Sequence, residues 1–437
     1  MKGKKLIALL ILTALLLCGC EILTVDQMYK PPKRSEDFNS LQSAISTAIA
    51  DMEYSAPVSG ENQQIVQTAD LYGDGAEEFL LFAKGGDEHP LHILIFRLEN
   101  DEYVHCQTID LPGSAFGKVE YAQMDDKPGM ELIVGSQVSD KVSRSVYVFT
   151  FAGGEAQQLV MEDYQNFLTV DLDSDSRSEL FVLRGGNTQS DKGIVELFSV
   201  NDGIIERSIE INMSETANNL KRIFVGQLQD GKTAVFLASA AGENKLITDV
   251  YTVADGVFTN VSLSNESGTS VKTMRNYFVY ADDIDSDGVT ELPNLLEMRS
   301  IDMTWHNSGQ SLIRWYSMNA KGEEIDKLYT YHNFIGGWYL RIESGLIHRI
   351  SVVDLGNICD FYIWDNGSPV KVLSIHALTG QSREEQSTAE NRFVLYKGES
   401  TIYAASLDRE AALYGFTQET VLRSFYMIRE NWNTGET

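Results

Sequence analysis

The chain is short of the residues that catalysis, cross-linking and nucleic-acid binding draw on. Four cysteines and seven histidines are spread over 437 residues. Beyond Cys18 and Cys20 no two cysteines lie close together, and there is no His-Glu-x-x-His helix, no Gly-x-Ser-x-Gly elbow and no phosphate-cradling glycine loop. Positive charge is also scarce, with 35 Lys and Arg against 63 Asp and Glu and a net charge of −28. A body so acidic is repelled by nucleic acid and by anionic lipid, and it attracts cations. One long apolar run exists, Leu6 to Leu17. No second stretch is long enough to span a bilayer.

That single run follows Lys2, Lys4 and Lys5 and ends at Leu17-Cys18-Gly19-Cys20. The pattern resembles the signal and lipobox of bacterial lipoproteins: a positive start, an apolar core too short to be a stable anchor, then small residues before a thiol. The resemblance implies a signal peptide over 1–19, lipidation at Cys20, and a body tethered to the outer face of the cell membrane. Acyl chains contribute roughly 0.8 kcal/mol per buried methylene, so two or three of them hold firmly. An ordinary secretory signal or an uncleaved anchor is the alternative. Residues 20–35, with Pro31-Pro32-Lys33-Arg34, suit an extended spacer. Loss of Lys2, Lys4 and Lys5 with the signal takes the charge from −28 to −31. Cys106 and Cys359 then remain, both among strand-like residues, and no disulfide is assigned to them.

The rest of the chain repeats itself. Acidic segments recur between apolar strand-like runs with a period of about fifty residues. The fullest copies run from Val170 to Leu180 and from Asp282 to Leu292, and a third runs from Asp70 to Phe79. Two more, Gln123 to Leu132 and Gly226 to Lys232, keep the apolar frame and lose most of the acids. After each loop come strand-like segments such as Glu78–Phe82, Leu91–Phe96 and Tyr103–Ile109, joined by turns such as Asn201-Asp202-Gly203 and Ala254-Asp255-Gly256. Four strands per unit at this period predict blades, which cannot cover their own two apolar faces and must stack.

The Asp-x-Asp-x-Asp-Gly-x-x-Glu loops resemble the calcium loops of FG-GAP and VCBS repeats, which build integrin-type β-propellers. The resemblance covers residues 64–332. It implies a mainly β fold: a β-propeller of four-stranded blades, with five clear repeats and up to seven blades. Residues 36–63 are a helix and lead-in, with Phe38, Leu41, Ile45 and Ile49 at helical spacing. Residues 333–437 are either a C-terminal α+β domain or degenerate terminal blades, closing on an amphipathic helix over Thr417 to Glu430. Carried residue by residue, the resemblance implies structural Ca2+ held by side chains at positions one, three, five and nine. These are Asp171, Asp173, Asp175 and Glu179 in one loop and Asp283, Asp285, Asp287 and Glu291 in the other. Backbone carbonyls of Arg177 and Val289 would add to them. In the first loop Tyr72 interrupts the pattern and leaves Asp70, Asp74 and Glu78. An EF-hand is excluded, since position twelve is Leu81, Val182 or Asn294 rather than Glu. Without an ion these acids are solvated turns.

The resulting expectation is a non-enzymatic binding module that presents loops to an envelope protein or a cell-wall glycan. The alternative is a hydrolase or lyase acting on envelope carbohydrate or lipid through the propeller channel. A third reading is calcium sensing. Trp305, Trp315, Trp338 and Trp364 suit core anchors better than a sugar platform.

Overall fold

The computed structural model describes residues 36–429 apart from 50, 87–88, 140–141, 187, 189, 202, 276–278 and 302–310. Cys20, the signal segment, the tether and Trp305 lie outside the described residues. The chain forms two compact units: one contains the helix and the first sheet, the other the remaining five sheets.

In the first unit the helix runs Glu36–Ala48 and ends just before Ile49, the last residue at helical spacing. Leu41, Ala44, Ile45 and Ala48 bring its apolar face onto Leu81, Ala83, Leu94 and Phe96 of the first sheet. That sheet pairs Glu53–Tyr54 and Val66–Ala69 with Glu78–Lys84, which continues to Leu91–Glu99 and Glu102–Leu111.

The second unit is a succession of antiparallel meanders. The second sheet runs Ala115–Ala122, Glu131–Ser139, Val142–Thr150 and Gln157–Asp163. The third runs Asn166–Val170, Glu179–Arg184, Ile194–Asn201 and Ile204–Arg207, with Ile211–Asn212 as an extra edge. The fourth runs Leu220–Gln227, Thr233–Ala240, Leu246–Ala254 and Val257–Asn260. The fifth runs Leu292–Glu297, Ser311–Met318, Glu324–Asn333 and Trp338–Ile342, and the sixth Ile350–Asp354, Ile358–Asp365, Ser368–Thr379, Thr401–Leu407 and Phe393–Lys397.

Alternation across the second strand of each sheet explains the stacking. In Glu179–Arg184, Leu180 and Val182 enter a core with Ile133, Val146 and Val148 of the second sheet. Their neighbours Phe181 and Leu183 enter the next core, with Val235, Leu237 and Tyr251 of the fourth. A strand buried on both faces reads as an unbroken apolar run, and each such side chain contributes roughly 1.5–3 kcal/mol of burial. The pattern continues through Phe236 and Val250 against Leu292 and Tyr316, and through Leu312 and Trp338 against Phe361 and Leu373. The fold is therefore mainly β, a β-propeller of four-stranded blades, six of which are described.

The chain beyond Asn333, where a separate domain and terminal blades were both open, supplies the last strands of the fifth sheet and all of the sixth. One expectation needs correcting. The closing helix covers only Gln418–Ser424, capped by Thr417, and the chain then turns into a strand, Phe425–Met427. The strand pairs Phe425 to Leu340, Tyr426 to Tyr339 and Met427 to Trp338. Phe425 lies 5.4 Å from Trp338, and Tyr426 stacks on Tyr339 at 5.1 Å. Edge pairing and aromatic contact override the helical spacing of Val421, Leu422, Phe425 and Ile428. Trp315 and Trp338 are core residues, while the indole of Trp364 donates to Ser351 Oγ at 2.8 Å. Cys106 is exposed and its thiol donates to the Ile95 carbonyl at 3.2 Å, while Cys359 is buried. Among the described residues no helix is long and apolar enough to cross a membrane.

The C-terminal strand makes a testable contribution. Phe425→Ala removes an anchor that is 8% exposed, and it is expected to lower stability by about 3 kcal/mol in denaturant titration. A change within error would mean the strand is dispensable.

Candidate metal-binding loops

Each acidic loop leads directly into a strand: Glu78, Glu131 and Glu179 open theirs, and Glu291 bridges back to Asp282 just before Leu292–Glu297. The turn is built by two left-handed residues, at positions four and six. They are Gly73 and Gly75, Ser174 and Ser176, and Ser286 and Gly288, with φ between 64° and 88°. The sequence pointed to position six; the left-handed position four was not foreseen. Serine in this region carries strain that glycine does not.

Position one holds those residues. Asp171 Oδ1 accepts from the Ser174 N–H at 2.7 Å, and Oδ2 from Ser176 at 3.0 Å. Asp70 does the same for Gly73 and Gly75, at 2.7 and 3.0 Å. Asp283 accepts from Asp287 and Gly288 at 3.0 and 2.9 Å.

Position nine is a latch that the ligand pattern alone did not suggest. Glu179 Oε2 accepts from the backbone N–H of Leu172 at 2.8 Å, and Glu291 Oε2 from that of Ile284 at 3.1 Å. Glu131 does so for Met124 at 2.9 Å in a loop that has Gln123 and Lys127 in place of the acids at positions one and five. Its survival there is the sequence signal for the role. A neighbouring bond ties blade to blade: the N–H at position eight reaches the carbonyl at position one of the preceding loop. Met130 reaches Asp70 at 3.0 Å, Ser178 reaches Gln123 at 2.7 Å, and Thr290 reaches Gln227 at 2.9 Å. Gly129 sits in the first of these contacts, where an added Cβ would fall 2.3 Å from the Leu71 carbonyl oxygen.

Two loops gather carboxylates. One oxygen from each of Asp171, Asp173, Asp175 and Glu179 lies within 4.8 Å of the others, and so do oxygens of Asp283, Asp285 and Asp287. Oxygens on opposite sides of a calcium ion stand about 4.8 Å apart, twice a bond of about 2.4 Å, so both sets suit that ion. In the 283–291 loop Asp285 Oδ1 and Glu291 Oε1 are buried with no hydrogen-bond partner. An orphaned acceptor there is costly unless a cation meets it. Burial, and then Asp173, Asp171 and Asp175, push the Glu179 carboxyl up to about 7 despite the Leu172 bond. Burial with Asp285 and Asp287 pushes Glu291 up to about 8.

Basic groups offset the position-five acids. Arg177 Nε donates to Asp175 at 2.8 Å, and Lys327 Nζ donates to Asp287 at 2.6 Å. Asp175 is lowered by its Arg177 contacts in spite of burial, and Asp287 chiefly by Lys327. Arg177 and Val289 donate backbone N–H groups to Asp175 and Asp287 at 2.8 and 2.9 Å. In the acid-poor second loop Lys127 stands at position five itself. The Gln123 amide there donates inward to the Asp125 and Lys127 carbonyls at 2.8 and 2.6 Å. In the remaining expected site, Asp70 belongs to the second unit, and Glu78 opens a strand of the first, fully buried. The loop at 171–179 also borders a cavity of about 370 Å3 lined by Asp173, Asp175, Arg207, Ile209, Val257 and Phe258.

No protein-family model matches the chain. No curated protein matches it either. Among solved structures, the rhamnogalacturonan lyase PL11 of Bacillus licheniformis is 10% identical, with 74% of this chain and 76% of that one covered and a TM-score of 0.30. Sqt1 of Chaetomium thermophilum is 10% identical over 81% and 98% of the two chains, with a TM-score of 0.28. TolB of Acinetobacter baumannii is 10% identical over 87% and 71%, with a TM-score of 0.24. At these scores the likenesses carry no argument about what this chain does.

The latch is separable from any ion. Glu131→Ala is expected to cost about 1–3 kcal/mol, because the buried Met124 N–H loses its acceptor. The loss should be equal in calcium and in chelator. A loss seen only in calcium would mean that Glu131 serves a metal.

Proposed function

We propose that this protein is a membrane-anchored extracytoplasmic lipoprotein whose calcium-braced β-propeller serves as a binding module for an envelope protein or a cell-wall glycan. The observation that carries the calcium part is the convergence of four carboxylates in one loop and three in another at equivalent positions of two blades. Asp171, Asp173, Asp175 and Glu179 would hold one ion, and Asp283, Asp285, Asp287 and Glu291 the other. A bound Ca2+ neutralises crowded carboxylates and fixes the turn, which suits bracing. The cavity beside the 171–179 loop supplies a concave, mixed polar and apolar surface of the size that ligands occupy. The anchor rests on the resemblance of residues 1–20 to a lipoprotein signal.

Asp285→Ala and Asp173→Ala should each lower the melting temperature in calcium, while chelator brings the parent protein down to meet them. At a hundredfold excess over Kd an ion adds about 2.7 kcal/mol. Identical melts in all cases would refute the bracing. Cys20→Ser should release the protein from membranes, and a variant that stays bound would refute the lipid anchor. Crosslinking in whole cells should recover one dominant envelope protein or glycan; recovery of neither would refute the binding module.

The raised glutamates fix a pH dependence. Each has a folded pKa above its ordinary 4.5, at about 7 for Glu179 and about 8 for Glu291. Their contribution to the metal-free fold is full below about 4.5 and is lost as pH rises through 7 to 8. Calcium restores what deprotonation removes. The rise in melting temperature produced by calcium should therefore be largest at pH 8 and shrink towards pH 5. Taking the difference with and without calcium cancels unrelated groups such as His332, which burial holds down to about 3. An increment independent of pH would contradict these ligand assignments.

A further inference from the structure

Lys327 has a placement that strand pairing alone does not give it. In the fifth sheet Trp315 faces Leu328 and Tyr316 faces Asp326, so Lys327 is an extra residue left out of the ladder. A bulge of this kind bends the strand and re-aims the side chain at its crest. Here it brings the ammonium group to Asp287 Oδ2 at 2.6 Å, with the side chain 15% exposed. The other oxygen of Asp287 accepts from Val289. Both oxygens of the position-five ligand are thus engaged within the protein, while Asp285 Oδ1 and Glu291 Oε1 remain without partners.

The acid-poor loop shows the end of the same series. There Lys127 replaces the position-five acid, its Nζ 3.9 Å from Asp125 Oδ2, and the Gln123 amide bonds into the turn. A loop of this design is closed by cationic and donor groups of its own. The 283–291 loop stands between the two: its acids are present, and one of them is held by a lysine from another strand.

We infer that Lys327 is a tethered counter-ion that competes with calcium for Asp287 and sets the affinity of the 283–291 loop. This rests on the calcium reading of that loop. Ion entry is an exchange in which Asp287 leaves the ammonium group for the metal, and the released lysine then stands close to a divalent cation. Both the lost ion pair and the new repulsion weaken binding. The bulge therefore tunes the site towards the weak affinities of extracellular calcium modules, at which occupancy follows the surroundings.

The test is calorimetric titration of Ca2+ into the full chain in detergent micelles, in an Asp173→Asn background that silences the other loop. Lys327→Met, which keeps length and removes charge, should tighten Kd about tenfold. It should also lower the melting temperature in chelator. Lys327→Arg, which keeps the charge, should bind calcium as the parent does and shows that replacement at the bulge is tolerated. Equal affinity in the parent and Lys327→Met would overturn the counter-ion role and leave the calcium site standing. Weaker binding in Lys327→Met would overturn it too, marking the lysine as a support of the site. Absence of calcium heat in the parent and both variants would overturn the calcium reading and this inference together.

Discussion

The structure turns on one carboxylate, the position-nine glutamate that leads into the strand after its loop in three of the described blades. Glu179, Glu291 and Glu131 each bond the N–H at position two of their own loop, folding the turn back on the strand that follows it. With the turn closed, position eight presents its N–H to the preceding blade, and a row of loops is laced across successive sheets. The acids at positions one, three and five elaborate this frame. A loop can lose the acids at positions one and five, as Gln123 to Glu131 does, and keep its latch, because a backbone N–H needs only one acceptor.

This order of dependence accounts for the differences among loops. Crowded carboxylates are tolerable where something positive meets them. The second blade meets the need with Lys127 and the Gln123 amide. The third uses Arg177 on Asp175, and the fifth Lys327 on Asp287. The third and fifth retain enough oxygens for an ion as well. Cation supply, internal or external, is the variable; the latch and the interblade bond recur.

Much of this was legible in the sequence because it is written in periods. Blades follow from apolar runs spaced about fifty residues apart, and the runs are unbroken because their residues feed two cores in alternation. The acid pattern also picked out the carboxylates that gather in the two full loops, all but Glu291, which the structure shows instead as a latch. What stayed hidden depended on long-range pairing. The spacing of Val421, Leu422, Phe425 and Ile428 suits a helix, yet Phe425–Met427 pairs with Trp338–Leu340 from far upstream. The turn after Asp354, only Leu355 to Asn357, is too short to carry the motif, so the sixth blade escaped the repeat. Lys327 looks like any strand lysine until the register slips beside it.

The most direct measurement is the anomalous scattering of crystals grown with terbium in place of calcium, since the lanthanide takes the same oxygen ligands. Peaks are expected within the 171–179 and 283–291 loops and none within 123–131 or 228–232. An empty map at both acid-rich loops, or a peak at the loop closed by Lys127, would contradict these assignments.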